Sequence, residues 1–483
     1  MNRLLYLLCF LPILAWAQPQ QANLLYNWND PSIVGSAAFD NAYNEIWGLV
    51  SNDREFAVIG STEGTHFVDV TEPGSMIELR SAFVEGAVTG PSIIHRDYHD
   101  YECYLYAVAD EGFFSSLQII DVSQLPDTTV VLYDSQDLIR RAHNIFIDTS
   151  TAKLYACAVN SSVGYYPLQV YSLADPLNPV LLSSHWSIGG VSIPIIHDIY
   201  VKDDIAYLNG SNDGLLVADF SDQSNPQIIG TLDSYPDQGY NHSGWLSDDG
   251  QTYFLADETH GTGIKSLDVS DPTDITVLDV FDAESTSNSI PHNLIVRGNY
   301  LYVSYYYDGL QVFDISDPSD VQRVAFYDTY PQSNINSYEG AWGVFPYLPS
   351  GRILISDMQT GLYVFDQIDQ GITGELPPLG SSANCENLVS TNIEKPIEQS
   401  DIRLVPNPVF RQFQLQIDMT ESQETNIQLF DLTGRLVKNF GQYELIQGPQ
   451  TLSFQLDNHL PKGMYILQIQ SADGQQSIKL VKE

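Results

Sequence analysis

Five of the chain's ten histidines recur at a near-constant interval. His95, His143, His197, His242 and His292 are separated by 48, 54, 45 and 50 residues, with Trp47 and Trp342 one interval before and one after. Each histidine is followed within two positions by a short polar residue: Asp97, Asn144, Asp198, Ser243 and Asn293. Neutral imidazole is a good ligand for zinc, copper or nickel. Histidines clustered with carboxylates can activate a metal-bound water. The same imidazoles and indoles, lining a rim, can instead bind a small polar or sugar-like molecule. They can also be structural, each histidine bonding the backbone or a turn aspartate of a neighbouring repeat. These three readings stay open on sequence, because HExxH and comparable local ligand spacings are absent.

Other chemistry-bearing residues are fewer. "NAYNEIWGL" (41–49) and "NSYEGAWGV" (336–344) both place Tyr four residues before Trp and carry a glutamate, Glu45 and Glu339. Two carboxylates at one mouth suit acid–base chemistry; two related copies of one repeat explain them equally. "DETHGTG" (257–263) sets His260 beside Asp257 and Glu258, as a cation-holding loop or a solvated hairpin. The "NDG" and "DEG" turns resemble pieces of calcium loops without a full EF-hand pattern. A Gly-x-Ser-x-Gly elbow, a P-loop, a dinucleotide fingerprint and Cys-His zinc spacing are all missing.

The elements that must position these residues repeat with them. After each anchor comes a short apolar run ("HNIFID", "HDIYVK", "HNLIVR"). A second strand follows ("KLYACAV", "QTYFLAD", "YLYVSYY"), then a turn rich in Asp and Gly, then a third strand ending in Asp ("LLVADFSDQSNP", "IKSLDVSDP", "LQVFDISDP"). A fourth strand closes the copy ("QIIGTLDSYP", "ITVLDVFDA", "VQRVAFYDT"). β-Branched and aromatic residues dominate and helical periodicity is missing. Copies beginning at Trp47, His95, His143, His197, His242, His292 and Trp342 suit the four-stranded blades of a seven-bladed β-propeller, whose innermost strands line a central channel. The seventh copy ends at "LYVFDQ" without a fourth strand. "ANLLYNWNDPS" (22–32) resembles "PQIIGTLDSYP" (226–236), so residues 23–29 are expected to close the ring and remove an open edge.

The recurrent "LxVxDxSDP" phrases resemble LVIVD repeats. The run from "NLLYNWNDPS" through "EIWGLVSNDREFAVIGSTEGTHFVDVTEP" and "IIHRDYHDYECYLYAVADEG" resembles the choice-of-anchor B secreted β-propellers over most of residues 23–367. That resemblance implies architecture and carries over no activity. Residues 368–401, with "GELPPLGSSAN" and "EKPIEQS", read as a linker. Beyond it, 402–483 holds alternating strands of a small β-sandwich. Pro406-Asn407-Pro408, "LFDLTGRLV" with Gly434, and "GMYILQI" from Gly463 with the basic end "IKLVKE" resemble the type A C-terminal sorting domain of the type IX secretion system. The resemblance implies that secretion machinery as a partner. It also implies delivery to the outer surface of a Gram-negative cell, removal of the domain, and release or attachment to lipopolysaccharide.

Bulk properties agree with an exposed destination. Twenty Lys and Arg face 61 Asp and Glu, a formal charge of −41, which repels nucleic acid and anionic membrane. Arg3, the apolar run Leu4 to Leu14 and Ala15-Trp16-Ala17 read as a signal peptide over 1–17, too short to span a bilayer. No later stretch reads as a membrane helix. The remaining Cys103, Cys157 and Cys385 do not make a disulfide framework. Propellers carry many functions on one frame. The expectation is a secreted, non-catalytic binding or scaffold module over 18–367, with a glycan or protein as ligand. The alternative is an extracellular metal-assisted hydrolase or glycan-active lyase with its site at the channel mouth. A third class is a purely structural surface-layer protein. No cofactor is named; a divalent or transition metal on His143, His197, His242 and His292 stays open.

Overall fold

The computed structural model describes residues 19–368 and 403–482, apart from 73, 113–114, 284–286, 333, 335–336, 420–421, 432–435, 457–459 and 472–474. The expected signal peptide, nearly all of the expected linker, Cys385 and Gly434 lie outside the described residues. The chain divides into two units, Met1–Glu386 and Asn387–Glu483.

The repeated sentence becomes a repeated antiparallel sheet. In the copy that follows His292, Leu294–Arg297, Tyr300–Ser304, Leu310–Asp314 and Gln322–Tyr327 pair in chain order. The register runs Ile295 to Tyr302, Tyr302 to Val312 and Val312 to Ala325. Seven sheets of four or more strands follow this plan among the described residues. Their innermost strands are Tyr43–Ser51, Arg96–Tyr101, Asn144–Asp148, Asp198–Lys202, Asn241–Leu246, Leu294–Arg297 and Ala341–Phe345. Each packs against the innermost strand of the next sheet, and the last packs on the first. The architecture is a β-propeller.

Local chemistry explains why the phrase recurs. The aspartate that ends the third strand in five of these sheets accepts the backbone N–H two residues on. Ser221 donates to Asp219 at 2.8 Å, Ser270 to Asp268 at 3.0 Å and Ser316 to Asp314 at 2.9 Å. That Asx turn ends the strand and starts the crossover to the fourth. In five sheets a β-bulge falls midway between the third and fourth strands, as at Val312/Phe313, and increases the local twist. The turn glycines are obligatory in places. Gly309 holds φ at +69°, and a Cβ there would strike the Tyr327 carbonyl.

Sheets stack face to face, so second and third strands are buried on both sides. Arg54–Ser61 and Leu310–Asp314 are buried almost throughout, with no alternation. Fourth strands are mostly only part-buried, as Val130–Ser135 is. Leu24–Trp28 pairs antiparallel with Gly361–Phe365, Trp28 opposite Leu362. Gly361, at φ +89°, leaves room for the Trp28 carbonyl. Gln20–Gln21 adds in parallel to Gln322–Tyr327 in the adjoining sheet.

The second unit has one sheet of Arg403–Val405, Gln412–Met419 and Gly448–Gln455. The other sheet is Leu436–Leu445, Gln423–Asp431, Gly463–Ser471 and Gln475–Lys482. The two share one apolar core that includes Phe413, Leu415, Ile427, Leu429, Phe454 and Leu467.

Candidate functional site: the channel mouth

Each ring histidine sits at the entry to an innermost strand, where the backbone turns inward from the preceding sheet. His143 and His197 donate their backbone N–H to Cys157 and Asn209, which fixes where each strand starts. Ring centroids then follow one another around the mouth: His95 to His143 5.0 Å, His143 to His197 4.1 Å, His197 to His242 4.0 Å, His242 to His292 4.3 Å, His292 to Trp342 4.5 Å and Trp342 back to His95 5.1 Å. The fold thus brings five histidines and Trp342 into a closed six-membered ring.

Trp47 does not join it. Its indole lies deeper, 4.6 Å from His99 and 4.9 Å from Phe345, and donates to Asp100 at 2.7 Å. The cause is its place on the ladder, since both end strands carry the same irregular register. Tyr43 pairs with Ser61 and Ala341 with Asp357, and each strand then slips before its regular ladder resumes at Ile46 and Val344. Matched through the ladder, Asn44 rather than Trp47 corresponds to Trp342. The shared "WG" dipeptide misaligns the two copies by three residues.

Below the ring, Glu45, Asp97, Asn144, Asp198 and Asn293 form a second layer. They line both the mouth cavity and a deeper cavity, so they partition the channel. Aromatic rings of Trp47, Phe146, Trp245 and their neighbours line the deeper cavity. Asn293 donates to Glu45 at 3.0 Å, and the Ile145 N–H donates to Asp97 at 2.5 Å. Burial pushes Asp97 up to about 7, against the pull of the Ile145 and Tyr98 N–H groups. Burial and the Asp97 charge push Asp198 up to about 8. The same two causes raise Glu45 well above the usual carboxylate range.

Carboxylates at the rim divide the ring into two halves. Asp110 and Glu111 follow the strand Tyr104–Ala109. The Asp110 carboxylate lies 2.9 Å from His143 Nδ1, and Glu111 bonds His95 Nδ1. Burial opposes charge on His143, but the bond and charge of Asp110 outweigh it and raise its pKa. In the other half, burial, with the neighbouring imidazoles adding to it, holds His197 and His242 well below the ordinary histidine value. Burial takes His292 to about 3 although its Nδ1–H donates to the Trp342 carbonyl at 2.5 Å. Glu258 stands 3.9 Å from Nε2 of both His242 and His292 and accepts from Tyr306 at 2.5 Å. Burial lifts Glu258 to about 7 while the Tyr306 bond pulls it down. His197 Nδ1 and His242 Nδ1 are buried without a hydrogen-bond partner among the described residues.

The other candidates disperse. Glu339 accepts from Tyr330 and does not line the mouth, so it does not pair with Glu45. "DETHGTG" is no single cage: Asp257 pairs with Lys265, His260 donates to the Ser337 carbonyl at 3.1 Å, and Glu258 alone faces the ring. Reading the sequence missed Glu258, Asp110 and Glu111 as ring partners. Their signal was present: "ADE" recurs at 109–111 and 256–258, each time just past a second strand. In the second unit, the exposed Asn407 donates to the Lys479 carbonyl at 2.7 Å and accepts from Val481 N–H at 2.8 Å. This pins the segment that holds Pro406 and Pro408 to the last strand. Gly463 opens the strand Gly463–Ser471.

Among the described residues no helix is long and apolar enough to cross a membrane. No curated protein matches the chain. Solved structures similar in outline include the β-propeller domain of Cps50 (Swd1) from Myceliophteria thermophila, 10% identical with a TM-score of 0.47 over 71% of this chain and 99% of that one. A putative 6-phosphogluconolactonase from Bacteroides uniformis is 16% identical with a TM-score of 0.48 over 69% and 95%. The WD40 repeats of RRP9 are 8% identical with a TM-score of 0.48 over 72% and 98%. Residues 196–234 and 291–329 match the LVIVD repeat. Residues 403–483 match the secretion system C-terminal sorting domain, which implies export of the chain by the type IX machinery.

Proposed function

We propose that this exported chain is a seven-bladed propeller of the choice-of-anchor B kind that works as a binding or scaffold module, with its ligand seated in the channel mouth. The observation that carries the reading is the closed ring of five histidines and Trp342 with buried polar atoms left unpartnered, among them His197 Nδ1, His242 Nδ1 and Asn144 Oδ1. Buried polar groups normally find partners, and a set that converges on one cavity is a place for a ligand to supply them. The chain is made with a signal peptide over 1–17 and acts at the surface of a Gram-negative cell, attached to lipopolysaccharide or released once its sorting domain is removed.

The test is a glycan array and a surface-protein binding screen with the mature chain beside a His292→Ala, Trp342→Ala variant. Binding by the parent that the folded variant loses supports the reading. Turnover of a substrate, lost in the same variant, would overturn it in favour of a second reading, an extracellular hydrolase or lyase. One observation favours that second reading: burial raises Asp97 to about 7 and Asp198 to about 8 in the wall of one cavity, the condition for a carboxylic acid that donates a proton at working pH.

A further inference from the structure

We propose that His197, His242 and Glu258 hold a divalent transition metal ion, zinc being the ion their donors suit best. The inference deepens the binding-module reading by naming the ligand class of the same mouth. One ligand atom from each of the three lies within 4.8 Å of the other two. His242 Nε2 stands 3.9 Å from one Glu258 oxygen, and His292 Nε2 stands 3.9 Å from the other as a further donor. Ligand atoms on one tetrahedral zinc are about 3.3–3.5 Å apart, given bonds of about 2.0–2.2 Å. A small contraction of the side chains therefore closes the cage.

Two imidazoles and a carboxylate are the donors of many zinc sites that keep a position open. Outer partners are in place for Glu258 and for His292. Ligating groups are generally oriented by a hydrogen bond on their far side. Tyr306 donates to Glu258, and the Trp342 carbonyl takes the Nδ1–H of His292, which leaves its Nε2 lone pair facing the carboxylate. The turn that carries Glu258 is fixed by the neighbouring ion pair of Asp257 with Lys265.

A second group of the same composition, His95, Asp110 and His143, makes a useful contrast. There the carboxylate is already spent on an imidazole, at 2.9 Å from His143 Nδ1, and Glu111 occupies His95. In the proposed site Glu258 touches no imidazole at hydrogen-bond distance, and His197 Nδ1 and His242 Nδ1 have no partner among the described residues. Ion pairing explains one trio and leaves the other unexplained.

The test is equilibrium dialysis of the mature chain against zinc, with bound metal measured by mass spectrometry and its coordination by zinc K-edge absorption. Near-stoichiometric zinc in a nitrogen and oxygen shell is expected. His242→Ala and Glu258→Gln should each weaken binding at least tenfold. Tyr306→Phe, which removes only an outer hydrogen bond, should weaken it roughly 10-fold. His185→Ala, in the outer strand Val180–His185 away from the ring, should leave it unchanged. No bound zinc overturns the proposal, as does zinc that resists all three weakening variants or is lost equally with His185→Ala. Circular dichroism accompanies each variant, and Tyr306→Phe decides the matter if His242→Ala fails to fold. Glycan or protein binding that persists in chelator with no zinc bound would sink the metal site and leave the binding module standing. Zinc bound without any other ligand would do the reverse.

Discussion

Lys265 Nζ lies 2.5 Å from Asp257 Oδ2, and neither side chain is exposed. Lys265 also donates to the carbonyls of Asp237 and Gly263 at 2.6 and 2.8 Å, and Tyr235 donates to the other Asp257 oxygen at 2.8 Å. Every donor and acceptor of the pair is therefore occupied. Removing one partner strands a buried charge, at a cost of about 3–5 kcal/mol. Lys265→Met should lower stability by that amount in urea unfolding. Lys265→Met with Asp257→Leu should recover much of it, because the stranded charge goes too. A loss no larger in the single variant than in the double would show that the charges are not what holds this turn.

The hydrogen bond from Trp47 to Asp100 carries a pH signature. Burial pushes Asp100 up to about 7, and the Trp47 N–H pulls the other way. An unfolded aspartate titrates near about 3.9. Between those values the folded chain holds a proton that the unfolded chain lacks. The contribution is full below the unfolded value and lost as pH rises through about 7. Asp97, also pushed to about 7, has the same sign. His99, taken by burial to about 4, and His292, to about 3, have the opposite sign, but only below the unfolded histidine value of about 6.5. Melting in chelator should therefore rise from about pH 8 to about pH 6.5, by on the order of 1 kcal/mol per carboxyl. Asp100→Asn should reduce the rise by one carboxyl's share and leave the share of Asp97.

Closure by the N-terminal strand predicts a truncation effect. Deleting residues 19–28 from the mature chain exposes the unpaired edge of Gly361–Phe365, whose residues are all buried in the intact ring. Edges of that kind recruit other strands. The truncated chain should melt lower and form oligomers in light scattering. A monomer of unchanged melting temperature would mean that the ring is closed by the inner strands alone.

Cys157 is fully buried, and burial raises its thiol well above the ordinary value. A thiolate-specific reagent at about pH 8 should leave it unmodified in the native chain and label it in denaturant. Peptide mapping by mass spectrometry reads the site directly.

The strands and their ring were legible because three signals agree in most copies: β-branched runs, Gly-containing turns, and the aspartate that accepts from Ser316, Ser270 or Ser221. The histidine register was legible because one residue type returns at one point of the repeat. Trp47 was misread because its "WG" dipeptide falls three residues further along the ladder than the one at Trp342, although both strands carry the same bulge. Glu258 was read only as part of the "DETHGTG" loop and not as a ring partner, because its approach to His242 and His292 depends on how the turn sits over the ring. The carboxylate layer was half legible. Asp97 and Asp198 stand beside their histidines in sequence, whereas Glu45 reaches Asn293 across 248 positions.

The strand Gly361–Phe365 has a mechanical consequence. It is the last of the ring, yet it lies inside its sheet, held by Ile353–Asp357 on one side and Leu24–Trp28 on the other. Any pull on the chain beyond residue 368 loads both ladders at once and in shear, where many hydrogen bonds resist together rather than one after another. Leu24–Trp28 thus braces the last strand of the ring against a pull on the segment that follows it.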